Sequence, residues 1–97
     1  MKQGSRPIIV LERWTNVDGK LEKTYRFVSL VVRNAFLTSL LEYEVEVGHN
    51  AEMRIDHESV SLKLSTKDTD RISELDKEYA RFADVSYKDV VRSCMKI

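Results

Sequence analysis

Residues 32–64 read VRNAFLTSLLEYEVEVGHNAEMRIDHESVSLKL, and a change of hydrophobic period inside this stretch decides the fold. In its first half Val32, Phe36, Leu40, Tyr43 and Val47 recur every three to four residues, with Leu37 and Leu41 widening the stripe. That spacing predicts a helix packed on a sheet, and Gly48 is placed to end it. The second half has period two. Ala51, Met53, Ile55 and His57 alternate with Glu52, Arg54 and Asp56, and Val60, Leu62 and Leu64 alternate with Ser61, Lys63 and Ser65. Two amphipathic strands joined tightly near Glu58 are expected.

Toward the N-terminus, Pro7 to Trp14 reads as an extended strand with apolar side chains on both faces. Asn16-Val17-Asp18-Gly19 supplies turn residues, with Gly19 available for a positive φ. Beyond the turn Leu21, Tyr25 and Phe27 lie on one face against Glu22, Thr24 and Arg26 on the other, which completes a β-hairpin. Toward the C-terminus, Ser73 and Asp76 form a capping box ahead of a helix with the apolar stripe Ile72, Leu75, Tyr79 and Phe82. A second box, Ser86 to Asp89, restarts a helix bearing Tyr87, Val90, Val91 and Cys94. The predicted order is β-β-α-β-β-α: an α+β two-layer sandwich in which a four-stranded antiparallel sheet carries its helices on one face.

The 97 residues are expected to form one domain, 1–97, because a second core would leave too little apolar material for either. Sixteen Lys and Arg balance sixteen Asp and Glu, so nucleic acid and anionic membranes meet no net attraction and neither is an expected partner. No apolar run approaches the roughly 18 residues that span a bilayer, and Met1-Lys2-Gln3-Gly4 is too polar to open a signal peptide. Cys94 is the single cysteine, which fits a reducing compartment, with cytoplasm the default. The apolar strands and the C-terminal stripe exceed what one layer of helices covers, so a homodimer or a dimer of dimers is expected.

Few residues carry obvious chemistry. His49 follows the helix stop on a loop leading into a strand, where an imidazole can face a cleft and move protons near neutral pH, or can simply be a surface loop residue. His57, between Asp56 and Glu58, reads as a turn histidine without a catalytic role. Glu42, Glu44 and Glu46 read as a solvated face at a helix end whose dipole they oppose. Lys67, in the mixed-charge loop Lys67-Asp68-Thr69-Asp70-Arg71, can contact an anionic or polar ligand. Cys94 is read as structural. No spacing of His, Cys and carboxylates matches a metal site, so none is expected.

Trp14-Thr-Asn-Val-Asp-Gly19-Lys-Leu21, Tyr25-Arg-Phe27, Leu30 and Phe36-Leu37 together resemble the pattern of pterin-4a-carbinolamine dehydratases. The resemblance runs on without a gap. Gly48-His49-Asn50-Ala51 falls at the family's Gly-His-His-Pro loop, Val60-Ser-Leu62-Lys-Leu64-Ser-Thr66-Lys67 at its Val-x-Val-x-Leu-x-Thr-His strand, and Ile72-Ser73-Glu74-Leu75-Asp76 with Ala80 at its Leu-Thr-x-x-Asp helix start. It implies dehydration of a 4a-hydroxytetrahydropterin to the quinonoid dihydropterin without metal or organic cofactor. An acid protonates the departing 4a-hydroxyl and a base takes the N5 proton, tasks suited to imidazole.

The carry-over is incomplete. His49 matches the first histidine of the family's loop, whereas Asn50 replaces the second and Lys67 replaces the histidine after Thr66. Val45, Ala51 and His57 stand where the family has a glutamate, a proline and a tyrosine. Asn50 can bond a pterin without exchanging its proton, and Lys67 would need burial to act as a base. The expected site is therefore His49 as catalytic group with Asn50, Ala51, Lys67 and Asp68 around the substrate. Two functions follow from the resemblance. One is a dehydratase with a depleted histidine cluster. The other is a noncatalytic relative that serves as a RuBisCO or carboxysome assembly factor, or as a dimerisation cofactor of a transcription factor, with a protein client in place of turnover.

Overall fold

The computed structural model describes residues 14–65 and 72–95, without the side chains of Cys94 and Met95. The described elements follow the expected order: β1 (Thr15–Val17), β2 (Lys20–Arg26), α1 (Leu30–Val47), β3 (Glu52–Ile55), β4 (Ser59–Leu64) and α2 (Glu74–Met95). The four strands form one antiparallel sheet in the spatial order β1-β2-β4-β3. Placing β2 beside β4 sets Leu21 opposite Leu64, Lys23 opposite Leu62 and Tyr25 opposite Val60. Because successive side chains alternate between faces, this register puts the apolar residues of both central strands under the helices. The opposite face carries Glu22, Thr24, Arg26, Ser61 and Lys63.

The first hairpin turns more tightly than Asn16-Val17-Asp18-Gly19 suggests. Asp18 and Gly19 both have left-handed backbones, φ 52° and 78°, as a two-residue turn of the primed type requires. Val17 therefore already pairs with Lys20 and Asn16 with Leu21, so both belong to β1 and not to the turn. The strand expected from Pro7 falls outside the described residues except for Trp14, which precedes β1 and sets its ring edge-on to Tyr25 at 6.3 Å.

Helix α1 is capped by Ser29, whose backbone is extended and whose side-chain oxygen accepts the Val32 N–H, and ends at Gly48, φ 68°. Val32, Phe36 and Leu40 fill the core, with Leu37 and Tyr43 packed at its margin. Leu41 and Val47, expected in the same stripe, face solvent. The stripe is narrower because Leu41 lies half a turn of the helical wheel from Val32. At the other end of the chain Ser73 and Asp76 do form the reciprocal box, Ser73 N–H to Asp76 Oδ2 at 2.9 Å and Asp76 N–H to Ser73 Oγ at 3.4 Å.

Helix α2 then runs unbroken through Ser86, where a restart was expected. The Ser86 hydroxyl is buried and donates to Ser39 Oγ of α1 at 2.7 Å, which ties the middle of α2 to α1. The buried face of α2 is Asp76, Tyr79, Ala80, Ala83 and Ser86, which turns Leu75 outward. Small residues at 80 and 83 allow the close approach, while Tyr43 stacks on Phe82 with ring centres 4.1 Å apart. Val90 and Val91 pack against this same core. These two residues of the C-terminal stripe are thus partly covered within the chain.

Lys23 is an exception to the polar-out pattern. It shares the inner face with Leu21 and Tyr25, and its ammonium meets Asp84 of α2 at 2.7 Å. The same carboxylate accepts Tyr25 OH at 2.5 Å and Trp14 Nε1–H at 3.2 Å. Burial and the Asp84 carboxylate push the Tyr25 hydroxyl far above its ordinary range, so it stays a donor.

Candidate functional site

The loop Gly48–Ala51 leaves α1 beside the N-terminus of α2, and this proximity builds the site. The left-handed Gly48 donates its N–H to Glu44 O at 2.9 Å and turns the chain so that His49 points back toward α2. His49 Nε2 lies 2.6 Å from Asp76 Oδ1. The histidine side chain is 13% exposed and the carboxylate 0%. Asp76 Oδ2 is occupied by the capping bonds from Ser73 N–H and Ser73 Oγ–H, at 2.9 and 3.3 Å. One buried carboxylate therefore caps α2 and orients the imidazole.

An ionised carboxylate accepts only, so with one proton on the ring that proton sits on Nε2 and Nδ1 keeps its lone pair. No described residue hydrogen-bonds Nδ1. The ring edge approaches Tyr79, centroids 6.5 Å apart. Tyr79, three residues past Asp76 on α2, donates its hydroxyl to Glu44 Oε2 at 2.5 Å, and the same oxygen accepts the Ala51 N–H at 3.1 Å. Burial first, and then the Glu44 carboxylate, drive the Tyr79 hydroxyl well above the usual tyrosine range.

Of the residues singled out by sequence, the structure brings His49 and Ala51 to this corner, while Asn50 in the same loop is exposed. Lys67 and Asp68 lie outside the described residues. His57 is an exposed turn residue whose carbonyl lies 3.4 Å from Arg33 Nη1. Val45, at the family's glutamate position, is 85% exposed. Glu44, read as part of a solvated acidic face, instead turns inward, between the exposed Glu42 and Glu46. Sequence reading also missed Asp76 as a partner of His49 and Tyr79 as a polar group. The signal for Asp76 was present, since a capping box places a carboxylate at a known spot, but its second oxygen finds His49 only across 27 residues. Among the described residues no three His, Cys, Asp or Glu side chains group as metal ligands do.

Comparison with known proteins identifies the family and the fold. The family model described as pterin 4 alpha carbinolamine dehydratase matches residues 4–85. A protein of Burkholderia cenocepacia is 33% identical over 76 residues, 76% of this chain and 74% of its own length. One from Herpetosiphon aurantiacus is 33% identical over 63 residues, 65% of this chain and 66% of the relative. Both carry the name "Putative pterin-4-alpha-carbinolamine dehydratase". Among solved structures, a transcriptional coactivator/pterin dehydratase from Brucella melitensis superposes with a TM-score of 0.78 at 21% identity, over 82% of this chain and 87% of that one. A pterin dehydratase-like RuBisCO assembly factor of the alpha-carboxysome gives 0.66 at 21% identity, over 77% and 87%. At these identities the two structures establish the shared fold.

Proposed function

Because the chain belongs to the pterin-4a-carbinolamine dehydratase family, we propose that residues 1–97 form one domain of that family and dehydrate a 4a-hydroxytetrahydropterin with His49 as the proton-transfer group. The observation that carries this reading is the His49–Asp76 pair. Asp76 holds the Nε2 proton, so Nδ1 is the basic atom offered to substrate. In the proposed step Nδ1 takes the N5 proton, the C4a–O bond breaks as the N5 electron pair forms the C=N bond, and the imidazolium returns a proton to the departing hydroxyl as water. The buried Asp76 charge lies beside the ring while it carries two protons. Asn50, Ala51, Lys67 and Asp68 are the proposed surroundings of the pterin. Asn50 offers an amide that donates and accepts without titrating.

The test is dehydration of a chemically generated 4a-hydroxytetrahydropterin by the full chain, followed by absorbance against the uncatalysed rate. The expected outcome is an acceleration that falls about 100-fold or more in His49→Ala, the scale of a positioned acid or base. A wild-type rate equal to buffer refutes the dehydratase reading.

The second reading, a noncatalytic assembly or dimerisation module, is favoured by one specific feature. Leu41 and Val45, one turn apart on α1, are 52% and 85% exposed on the side opposite Val32 and Phe36. We propose that a second copy covers this stripe in an antiparallel arrangement, which sets the acidic end with Glu42 and Glu46 beside the partner's Arg33 end and opposes the helix dipoles. A protein client at the same face is the alternative occupant. Light scattering that gives a dimer or tetramer mass, lowered by Leu41→Glu, supports self-association, and a monomer mass for the wild type refutes it. No helix of the described residues is long and apolar enough to cross a membrane. The cytoplasm, a reducing compartment that suits a single cysteine, is the proposed location.

A further inference from the structure

The residue that fixes the His49 loop is on the preceding helix. Glu44 holds the loop twice: its carbonyl accepts Gly48 N–H at 2.9 Å and its carboxylate Oε2 accepts Ala51 N–H at 3.1 Å. His49 is bracketed by these two bonds. The same Oε2 takes the Tyr79 hydroxyl at 2.5 Å, and Tyr79 lies one helical turn from Asp76, which holds the imidazole. The bonds close a ring through three elements, from Glu44 on α1 to Tyr79 and Asp76 on α2, to His49, and through the loop to Ala51 and Glu44 again. Val45, one residue on, points to solvent and cannot take this place.

We propose that Glu44 is a positioning residue that sets the direction of the His49 ring by clamping Ala51 and Tyr79 against the end of α1. The clamp works because one side-chain oxygen has lone pairs for two donors at once. A backbone held at residues 48 and 51 leaves residue 49 few conformations, so the ring meets Asp76 without further ordering. The geometric inference stands apart from the proposed dehydratase activity, and only its consequence for turnover rests on that reading.

The test uses the full chain with Glu44→Ala and, as a variant that keeps the charge but shortens the reach, Glu44→Asp. Amide hydrogen exchange at Ala51 and the ring nitrogen and proton resonances of His49 are read by NMR. In both variants the Ala51 amide should exchange about five- to tenfold faster, as for a lost hydrogen bond of ordinary strength, and the downfield His49 Nε2–H resonance should broaden or shift. Glu44→Gln, whose carbonyl oxygen still accepts, should largely restore both signals. Unchanged Ala51 exchange and unchanged His49 resonances in a folded Glu44→Ala or Glu44→Asp protein overturn the inference. If the wild type shows no dehydration above buffer, the functional proposal falls while the two NMR readouts still decide the role of Glu44. If turnover exists, Glu44→Asp should lower kcat and Glu44→Gln should recover most of it.

Discussion

Replacing Asp76 with asparagine tests the central contact by reversing its polarity at constant volume. In the native protein both carboxylate oxygens accept, one from His49 Nε2 at 2.6 Å and the other from Ser73 N–H at 2.9 Å. In Asp76→Asn the amide oxygen is kept by the cap, where only an acceptor serves, so the NH2 group faces His49. The neutral ring must then accept at Nε2 and move its proton to Nδ1. Stability should fall by about 1–2 kcal/mol, since a charge-assisted bond is replaced by a neutral one while the cap survives. Asp76→Ala should cost more, about 3 kcal/mol, because the cap contributes about 1 and a buried donor loses its partner.

The functional effect should exceed the stability effect, because Nδ1 is no longer basic. Loss of the orienting aspartate in a hydrolase triad lowers kcat by the same tautomer error, and a fall approaching that of His49→Ala, about 100-fold, is expected here. Nitrogen-15 correlation spectra of the imidazoles, recorded where His49 carries one proton, read the tautomer directly. The wild type should show the proton on Nε2 and Asp76→Asn should show it on Nδ1. A wild-type proton on Nδ1, or spectra identical in the two proteins, refutes the reasoning, whatever the activity.

Asp84→Ala should cost about 2–4 kcal/mol, slightly below the range for breaking a fully buried pair, since Lys23 and Asp84 retain 15% and 17% exposure. Adding Lys23→Met should recover most of that loss, and a urea double-mutant cycle with no coupling would contradict the description of the cluster. Phe36→Ala and Leu62→Ala remove side chains 0% and 1% exposed and should each cost about 2–5 kcal/mol; unchanged denaturation midpoints would show the core to be misassigned. Tyr25 and Tyr79 are held above their ordinary value, near 10. The unfolded chain loses those phenolic protons first, so this stability is full below about pH 10 and is lost as pH rises further. Tyr25→Phe should flatten the alkaline decline measured by thermal unfolding, and an unaltered slope would count against the Asp84–Tyr25 bond.

What the sequence determined by itself lies within a few residues at a time. The change from a 3.6-residue to a 2-residue period across Gly48, the Asp18-Gly19 turn and the Ser73–Asp76 box are local codes. Each is satisfied by backbone geometry the residues prefer, so element order and fold class follow from them. The tertiary structure alone decided matters in which a polar side chain finds its partner far along the chain. Ser86 has the pattern of a cap, yet it lies inside an unbroken α2 and its hydroxyl donates to Ser39, 47 residues away, across the helix contact. Lys23 alternates onto an apolar face because Asp84 waits there, 61 residues on. Glu44 and Val45 are adjacent carriers of opposite fates: the helical phase relative to the sheet turns the carboxylate to Ala51 and Tyr79 and the valine to water. His49 acquires its basic nitrogen in the same way. Its own neighbours in sequence leave both tautomers open, and only the packing of α2 against the loop brings up the buried Asp76 that selects one.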